Sequence, residues 1–191
     1  AEKLTEFGID IHRGLAKTGV VGKIVNGNGP SIGLRADMDA LPVEEKNTFE
    51  YRSKFPGKMH ACGHDGHITM LLGAAKYLAT KKNFKGTVNL IFQPAEEGLG
   101  GADMMIKDGL FKKFPMKSVY GLHNWPTGEL GKVSIKPGVA MAGADFFDIK
   151  IKAFGSHAAR PEGSKDPIII ASSLISQLQS IVSRNVPPTE T

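Results

Sequence analysis

Along the chain the apolar positions switch between two periods. Gly19-Val20-Val21-Gly22-Lys23-Ile24-Val25 and Ser31-Ile32-Gly33-Leu34 lie on either side of the turn-rich Asn26-Gly27-Asn28-Gly29-Pro30. This pattern predicts two strands joined as a hairpin. From Gly66 to about Thr80 the residues Ile68, Leu71, Leu72, Ala75 and Leu78 recur at helical spacing, which puts His64 and Asp65 at the amino-terminal mouth of a helix that faces a core. Thr87 to Phe92 reads as a buried strand, Gly101 to Leu110 as a short helix and Ser118 to Leu122 as another strand. Leu4 and Phe7, three apart, read as the end of a helix. Alternation of strand and helix predicts an α/β layer with partly parallel strands and helices on its faces.

Past Lys136-Pro137-Gly138 the pattern becomes wetter. Phe147, Ile149, Ile151 and Ala153 alternate with Asp148, Lys150 and Lys152 as in a half-exposed strand. Ile170, Leu174, Leu178 and Ile181 then line one side of a helix running roughly from Pro167 to Ser183. One strand and one helix cannot bury a core of their own. Residues 1–141 are therefore read as one domain, and those from about 142 onward as part of a second that the chain does not complete.

Composition narrows the partners. The 191 residues are 41% hydrophobic and 23% charged, close to the globular average, so a packed core is expected. A net charge of +5 is spread over short groups such as Lys81-Lys82 and Lys112-Lys113, with no dense basic stripe interleaved with aromatics, so no nucleic-acid partner is expected. No apolar run is long enough to span a bilayer, and no membrane partner is expected. The one cysteine cannot form an internal disulfide and stands among histidines, which suits reduced chemistry in a cytoplasmic setting.

The chemistry concentrates at strand tips. Leu34 leads to Arg35-Ala36-Asp37-Met38-Asp39, Phe92 to Gln93-Pro94-Ala95-Glu96-Glu97, and Leu122 to His123-Asn124-Trp125. In open α/β sheets the carboxyl ends of the strands form the ligand rim, so these tips and the segment His60-Ala61-Cys62-Gly63-His64-Asp65-Gly66-His67 are expected to converge. Thiolate, imidazole and carboxylate together are the donors of zinc and its neighbours, not of calcium or magnesium. More than four candidate donors points to two ions, which can activate water and polarise an amide carbonyl together. Adjacent side chains of an extended segment point to opposite sides, so Glu96 and Glu97 are expected to have different jobs, one binding metal and one acting as general base.

These motifs resemble the metal-dependent amidohydrolases related to aminoacylase, hippurate hydrolase and the plant auxin-conjugate hydrolases. The resemblance rests on residues 33–42, on His60 to His67, on Gln93-Pro94-Ala95-Glu96-Glu97-Gly98, on Gly121-Leu122-His123-Asn124 and on Gly155-Ser156-His157-Ala158-Ala159-Arg160-Pro161. It implies a di-metal α/β catalytic domain with a mixed sheet flanked by helices, joined to an α+β ferredoxin-like lid through which two copies dimerise. It implies two divalent ions, zinc or manganese with cobalt or nickel as alternatives, held by Cys62, His64, Glu97 and His123. Glu96 would be the general base, and His157 would reach the partner subunit's site to stabilise the oxyanion. Asp37 is expected to support the ligands from behind, and Asp65 and His67 to do the same or to shape the helix mouth. Carboxypeptidase-type relatives carry a ligand His two residues before the Asp of the first motif, and Arg35 stands in that place here.

The implied substrate is an N-acyl amino acid, cleaved at its amide bond. A di-metal carboxypeptidase or dipeptidase, a cysteine amidase using Cys62 as nucleophile, and a non-catalytic fragment that only binds metal or dimerises are the competing readings. The resemblance also implies a chain about twice this length, with the rest of the lid and a further ligand His beyond residue 191.

Overall fold

The computed structural model describes residues 1–139 and 146–186. These fall into two compact units, Ala1–Gly128 and Glu129–Thr191. The expected boundary between residues 141 and 142 lies outside the described residues.

The first unit is built on one five-stranded mixed sheet. Its elements in chain order are α1 (Glu2–Glu6), β1 (Asp10–Leu15), β2 (Gly19–Asn26), β3 (Ser31–Asp37), α2 (His64–Lys81), β4 (Gly86–Gln93), α3 (Gly101–Lys107), α4 (Leu110–Lys113) and β5 (Ser118–Gly121). The strand order is β1-β2-β4-β3-β5. β1 and β2 pair antiparallel, β2 and β4 antiparallel, and β3 runs parallel to both β4 and β5.

The expected hairpin of β2 and β3 does not form. β4 lies between them, with Val25 opposite Thr87 on one side and Ser31 opposite Thr87 on the other. The cause is the apolar content of β4, which is buried over almost its whole length and so needs a partner on each edge. The Asn26–Pro30 connection therefore bridges over the start of β4, where the Thr87 N–H donates to the Pro30 carbonyl at 3.0 Å. Gly86, at φ +117°, allows this close crossing, because a side chain there would run into the Pro30 carbonyl.

Alternation along β4 sends Val88, Leu90 and Phe92 to one face and Ile91 to the other. On the first face they pack with Leu4 of α1 and with Leu71 and Ala75 of α2. On the second, Ile91 joins Val21, Met105 of α3 and Leu110 of α4. Helices thus cover both faces. Because β3, β4 and β5 are parallel, their carboxyl ends lie along one edge of the sheet, and α2 begins at Cys62-Gly63-His64 beside them.

In the second unit, α5 runs from Pro167 to Ser180 and continues as a wider turn over Ile181–Asn185. Asp166 caps it, accepting the Ile168 N–H at 2.8 Å, and Pro167 fills the first turn, where no N–H is needed. The strand expected at residues 147–153 does not form among the described residues. Only Phe154 bridges, to Lys165. A strand exists through its ladder, and the described part of this unit offers residues 147–153 no partner edge.

Candidate metal centre

His64 is the first residue of α2 and is 1% exposed, yet neither of its ring nitrogens makes a hydrogen bond. Four carboxylates surround it. Nδ1 lies 3.3 Å from Asp39 Oδ1, and Nε2 lies 3.6 Å from Asp37 Oδ2, 3.8 Å from Glu96 Oε2 and 3.8 Å from Glu97 Oε1. Buried polar atoms in folded proteins are almost always satisfied. With Nδ1 turned toward Asp39, Nε2 faces three anionic oxygens, an arrangement that a bound cation would make favourable. The donor set, imidazole with carboxylates and a nearby thiol, fits a divalent transition metal.

Three groups of candidate donors share His64, one of them with Asp37 and His67, whose facing atoms are already bonded to each other. Cys62, His64 and His123 have donor atoms within 4.8 Å of one another, and so do His64, Glu96 and Glu97. The Cys62 Sγ faces His123 Nε2 at 3.6 Å. His123 is exposed, and its Nδ1 donates to the Asn124 carbonyl at 2.6 Å, which leaves Nε2 with a free lone pair on the Cys62 side. Burial, a hydrogen bond with Glu97, and the charges of Glu97, Glu96 and Asp37 push the Cys62 thiol up to about 11. A thiol in so negative a setting ionises only if positive charge arrives.

The expectation that Glu96 and Glu97 point to opposite sides is corrected. Both reach His64 Nε2, because the backbone here is not extended. Ala95 has φ +53°, the Gly98 N–H donates to the Glu96 carbonyl at 2.8 Å, and the tight turn swings both carboxylates the same way. The Glu97 N–H donates to Asp39 Oδ2 at 3.0 Å and ties the β3 tip to the β4 tip.

Asp37 is 1% exposed and has both oxygens engaged. Oδ1 accepts from His67 Nδ1 at 2.6 Å and Oδ2 pairs with Arg35 Nη1 at 2.8 Å, while Arg35 Nε donates to Gln93 Oε1 at 2.8 Å. Burial works to raise its pKa, but the His67 hydrogen bond and the Arg35 guanidinium lead the opposing effects, which outweigh it and hold the carboxyl low. Asp65 is exposed in the first turn of α2, where its charge suits the helix amino terminus, and its carboxylate forms no hydrogen bond or ion pair with the cluster among the described residues. His157 belongs to the second unit. There it lines an open cleft of about 460 Å³ with Phe154, Ser156, Pro161 and Lys165, and its Nδ1 accepts the Ala159 N–H at 3.2 Å.

The sequence reading passed over Asp39 and Asn124. Asp39 carried a signal, since it stands two residues beyond Asp37, but it lies past the end of β3, where alternation no longer assigns a face. Asn124 packs its side chain against Gly63 and Gly66, two glycines flanking His64 whose purpose cannot be read along the chain.

The sequence profile of peptidase family M20/M25/M40 matches residues 33–190. The chain is 56% identical over 189 residues to the hippurate hydrolase of Campylobacter jejuni, covering 98% of this chain and 49% of that protein. It is 47% identical over 189 residues to the IAA-amino acid hydrolase ILR1-like 4 of Arabidopsis thaliana, covering 98% of this chain and 42% of that one. The chain thus spans about half the length of the curated relatives it matches. Among solved structures, that of the Bacillus subtilis YXEP protein, a dinuclear metal binding peptidase from the M20 family, superposes with a TM-score of 0.62 at 40% identity, over 66% of this chain and 36% of that one. With a profile match over most of its length and strand tips converging on clustered metal donors, this chain belongs to peptidase family M20/M25/M40.

Proposed function

We propose that this chain carries the metal-binding half of an amidohydrolase that cleaves N-acyl amino acids into a carboxylic acid and a free amino acid. The observation that carries the reading is the buried, unbonded imidazole of His64 within reach of four carboxylates. Names such as hippurate hydrolase and IAA-amino acid hydrolase among similar proteins support amide-linked acyl amino acids as the substrate class.

Cys62, His64, Glu97 and His123 would hold two divalent ions, zinc or manganese. When bound, such a pair supplies Lewis acidity toward the amide carbonyl and lowers the pKa of water. The residues of the chain do the rest. Glu96 has the more exposed side chain of the two glutamates, 42% against 30%, so it suits the general base, which must meet water and substrate. It would take a proton from the attacking water and pass it to the leaving amine. Glu97, drawn inward by its N–H bond to Asp39, suits a ligand. Asp37, saturated by Arg35 and His67, serves as an anchor behind the ligands. His157 would stabilise the oxyanion across a homodimer formed by a lid that starts near residue 142. A cytoplasmic setting accords with a thiol ligand that must stay reduced.

The cysteine-nucleophile reading runs against the electrostatics. Reactive thiols sit in electropositive surroundings that lower their pKa, and Cys62 is pushed the opposite way. Glu96→Gln in the full-length protein tests the general base. Turnover of an N-acyl amino acid should fall by about 10²- to 10⁴-fold with the metal content unchanged, and near-normal turnover would remove Glu96 from that role.

A further inference from the structure

His67 stands one turn into α2, 2% exposed, and is bonded on both sides. Its Nδ1 meets Asp37 Oδ1 at 2.6 Å, and its Nε2 meets the backbone N–H of Asn124 at 3.0 Å. A backbone N–H can only donate, so Nε2 is the acceptor and Nδ1 carries the proton that Asp37 receives. The side-chain Oδ1 position of Asn124 is also 3.0 Å from Nε2. An acceptor there would oppose the Nε2 lone pair, so we assign the NH2 end of the carboxamide to His67, which exchanges a marginal 3.5 Å contact of that group with the Gly63 carbonyl for a 3.0 Å one with Nε2.

The main chain at Asn124 is therefore held in both of its flanking peptide groups. Its N–H goes to His67, and its carbonyl accepts from His123 Nδ1 at 2.6 Å. The His67 and His123 rings meet edge to face, with centroids 4.4 Å apart and planes inclined by 67°. Gly63 and Gly66 leave the room in which the Asn124 side chain lies against the start of α2, since a Cβ on either would touch it. Behind His67, Asp37 is held by Arg35, which also bonds Gln93 at the tip of β4. One continuous set of bonds thus runs from the ends of β3 and β4, through the first turn of α2, to the main chain that orients His123.

We propose that His67 is a positioning residue of the metal centre: held by Asp37, it fixes the main chain at Asn124, and thereby places His123 Nε2 opposite the Cys62 sulfur. His67 binds no ion itself, because both its nitrogens are spent. The inference rests on the metal-centre reading above and adds to it the device that keeps one ligand in register.

The test uses the full-length protein loaded with cobalt(II), whose visible spectrum and thiolate charge-transfer band report the Cys62 and His123 environment. His67→Phe should weaken cobalt and zinc binding by about 10- to 100-fold and alter the band, the usual effect of removing a residue that orients a ligand. His67→Gln, whose carbonyl oxygen can replace Nε2 as acceptor, should recover most of that loss. Unchanged affinity and spectrum in a folded His67→Phe protein, or a His67→Gln protein as impaired as His67→Phe, would overturn the proposal. Should His67→Phe fail to fold, nitrogen NMR of the unaltered protein decides: a proton on Nδ1 and none on Nε2 of His67 is expected, and a proton on Nε2 overturns it. Failure of the unaltered protein to show any thiolate-to-cobalt band would instead count against the metal centre as a whole.

Discussion

The Nδ1 of His64 lies 3.3 Å from Oδ1 of Asp39, and neither atom has a hydrogen bond, although both are buried. Asp39 thus sits behind the imidazole while Nε2 looks toward Asp37, Glu96 and Glu97. A carboxylate behind a ligand imidazole sets its orientation and raises its basicity. Asp39→Asn should therefore lower metal affinity by about 10- to 100-fold, measured by competition with a chelator. Burial works to raise the Asp39 pKa, but the backbone N–H groups of Glu97, Glu96 and Asp39 itself outweigh it and hold the carboxyl low, so in the metal-free protein the same change should lower the denaturation midpoint at neutral pH.

Gly63 precedes α2 at φ +82°, and a Cβ there would overlap the Asn124 side chain. Gly63→Ala should cost about 1–2 kcal/mol from the left-handed backbone alone, and more from the clash. Pairing it with Asn124→Ala should relieve the steric part and leave the backbone part. Denaturant melts of the two single variants and the double variant measure that coupling.

Cys62 offers a chemical check. With its thiol pushed up to about 11, first by burial and then by Glu97, the metal-free protein should hold it protonated at neutral pH. Iodoacetamide should alkylate it far more slowly than an ordinary thiol at pH 7–8, the rate climbing only as pH approaches that value. Metal loading must then release the thiol proton, so affinity should fall as the medium becomes more acid. Fast alkylation at neutral pH would revive the nucleophile reading.

The low pKa of Asp37 makes stability depend on pH in a defined direction. A carboxyl whose folded pKa lies below its unfolded value, about 4, stabilises the fold fully above that value and loses the effect as pH falls through the folded pKa. Metal-free protein should lose stability on acidification below about pH 4, and Asp37→Asn should flatten that part of the curve. A variant with the same acid slope as the unaltered protein would show that Asp37 is not its source.

Much of this was legible along the chain, and the failures share a cause. Apolar periodicity located β2, β3, β4 and α2, because each buries residues that its sequence must mark, and it located β5 from its apolar run although that edge strand is largely exposed. β1 went unnoticed because Asp10, His12 and Arg13 leave an edge strand with only Leu15 fully buried. The hairpin error came from treating a local turn as proof of local pairing, when the burial demand of β4 overrode it. Convergence of donors at the strand tips followed from parallel topology. The turn at Ala95 that swings Glu96 and Glu97 together, and the Asn124 main chain between two histidines, are products of tertiary contact that no spacing rule encodes.

The central claim is that the carboxylates and imidazoles around His64 exist to hold divalent cations, and metal content tests it most directly. Elemental analysis of the purified full-length protein should find about two divalent ions per chain, as a paired hydrolytic site requires. His64→Ala should lower that number by at least one and abolish turnover of N-acyl amino acids. A fully active protein free of metal, or a His64→Ala protein with the whole complement, would contradict the account.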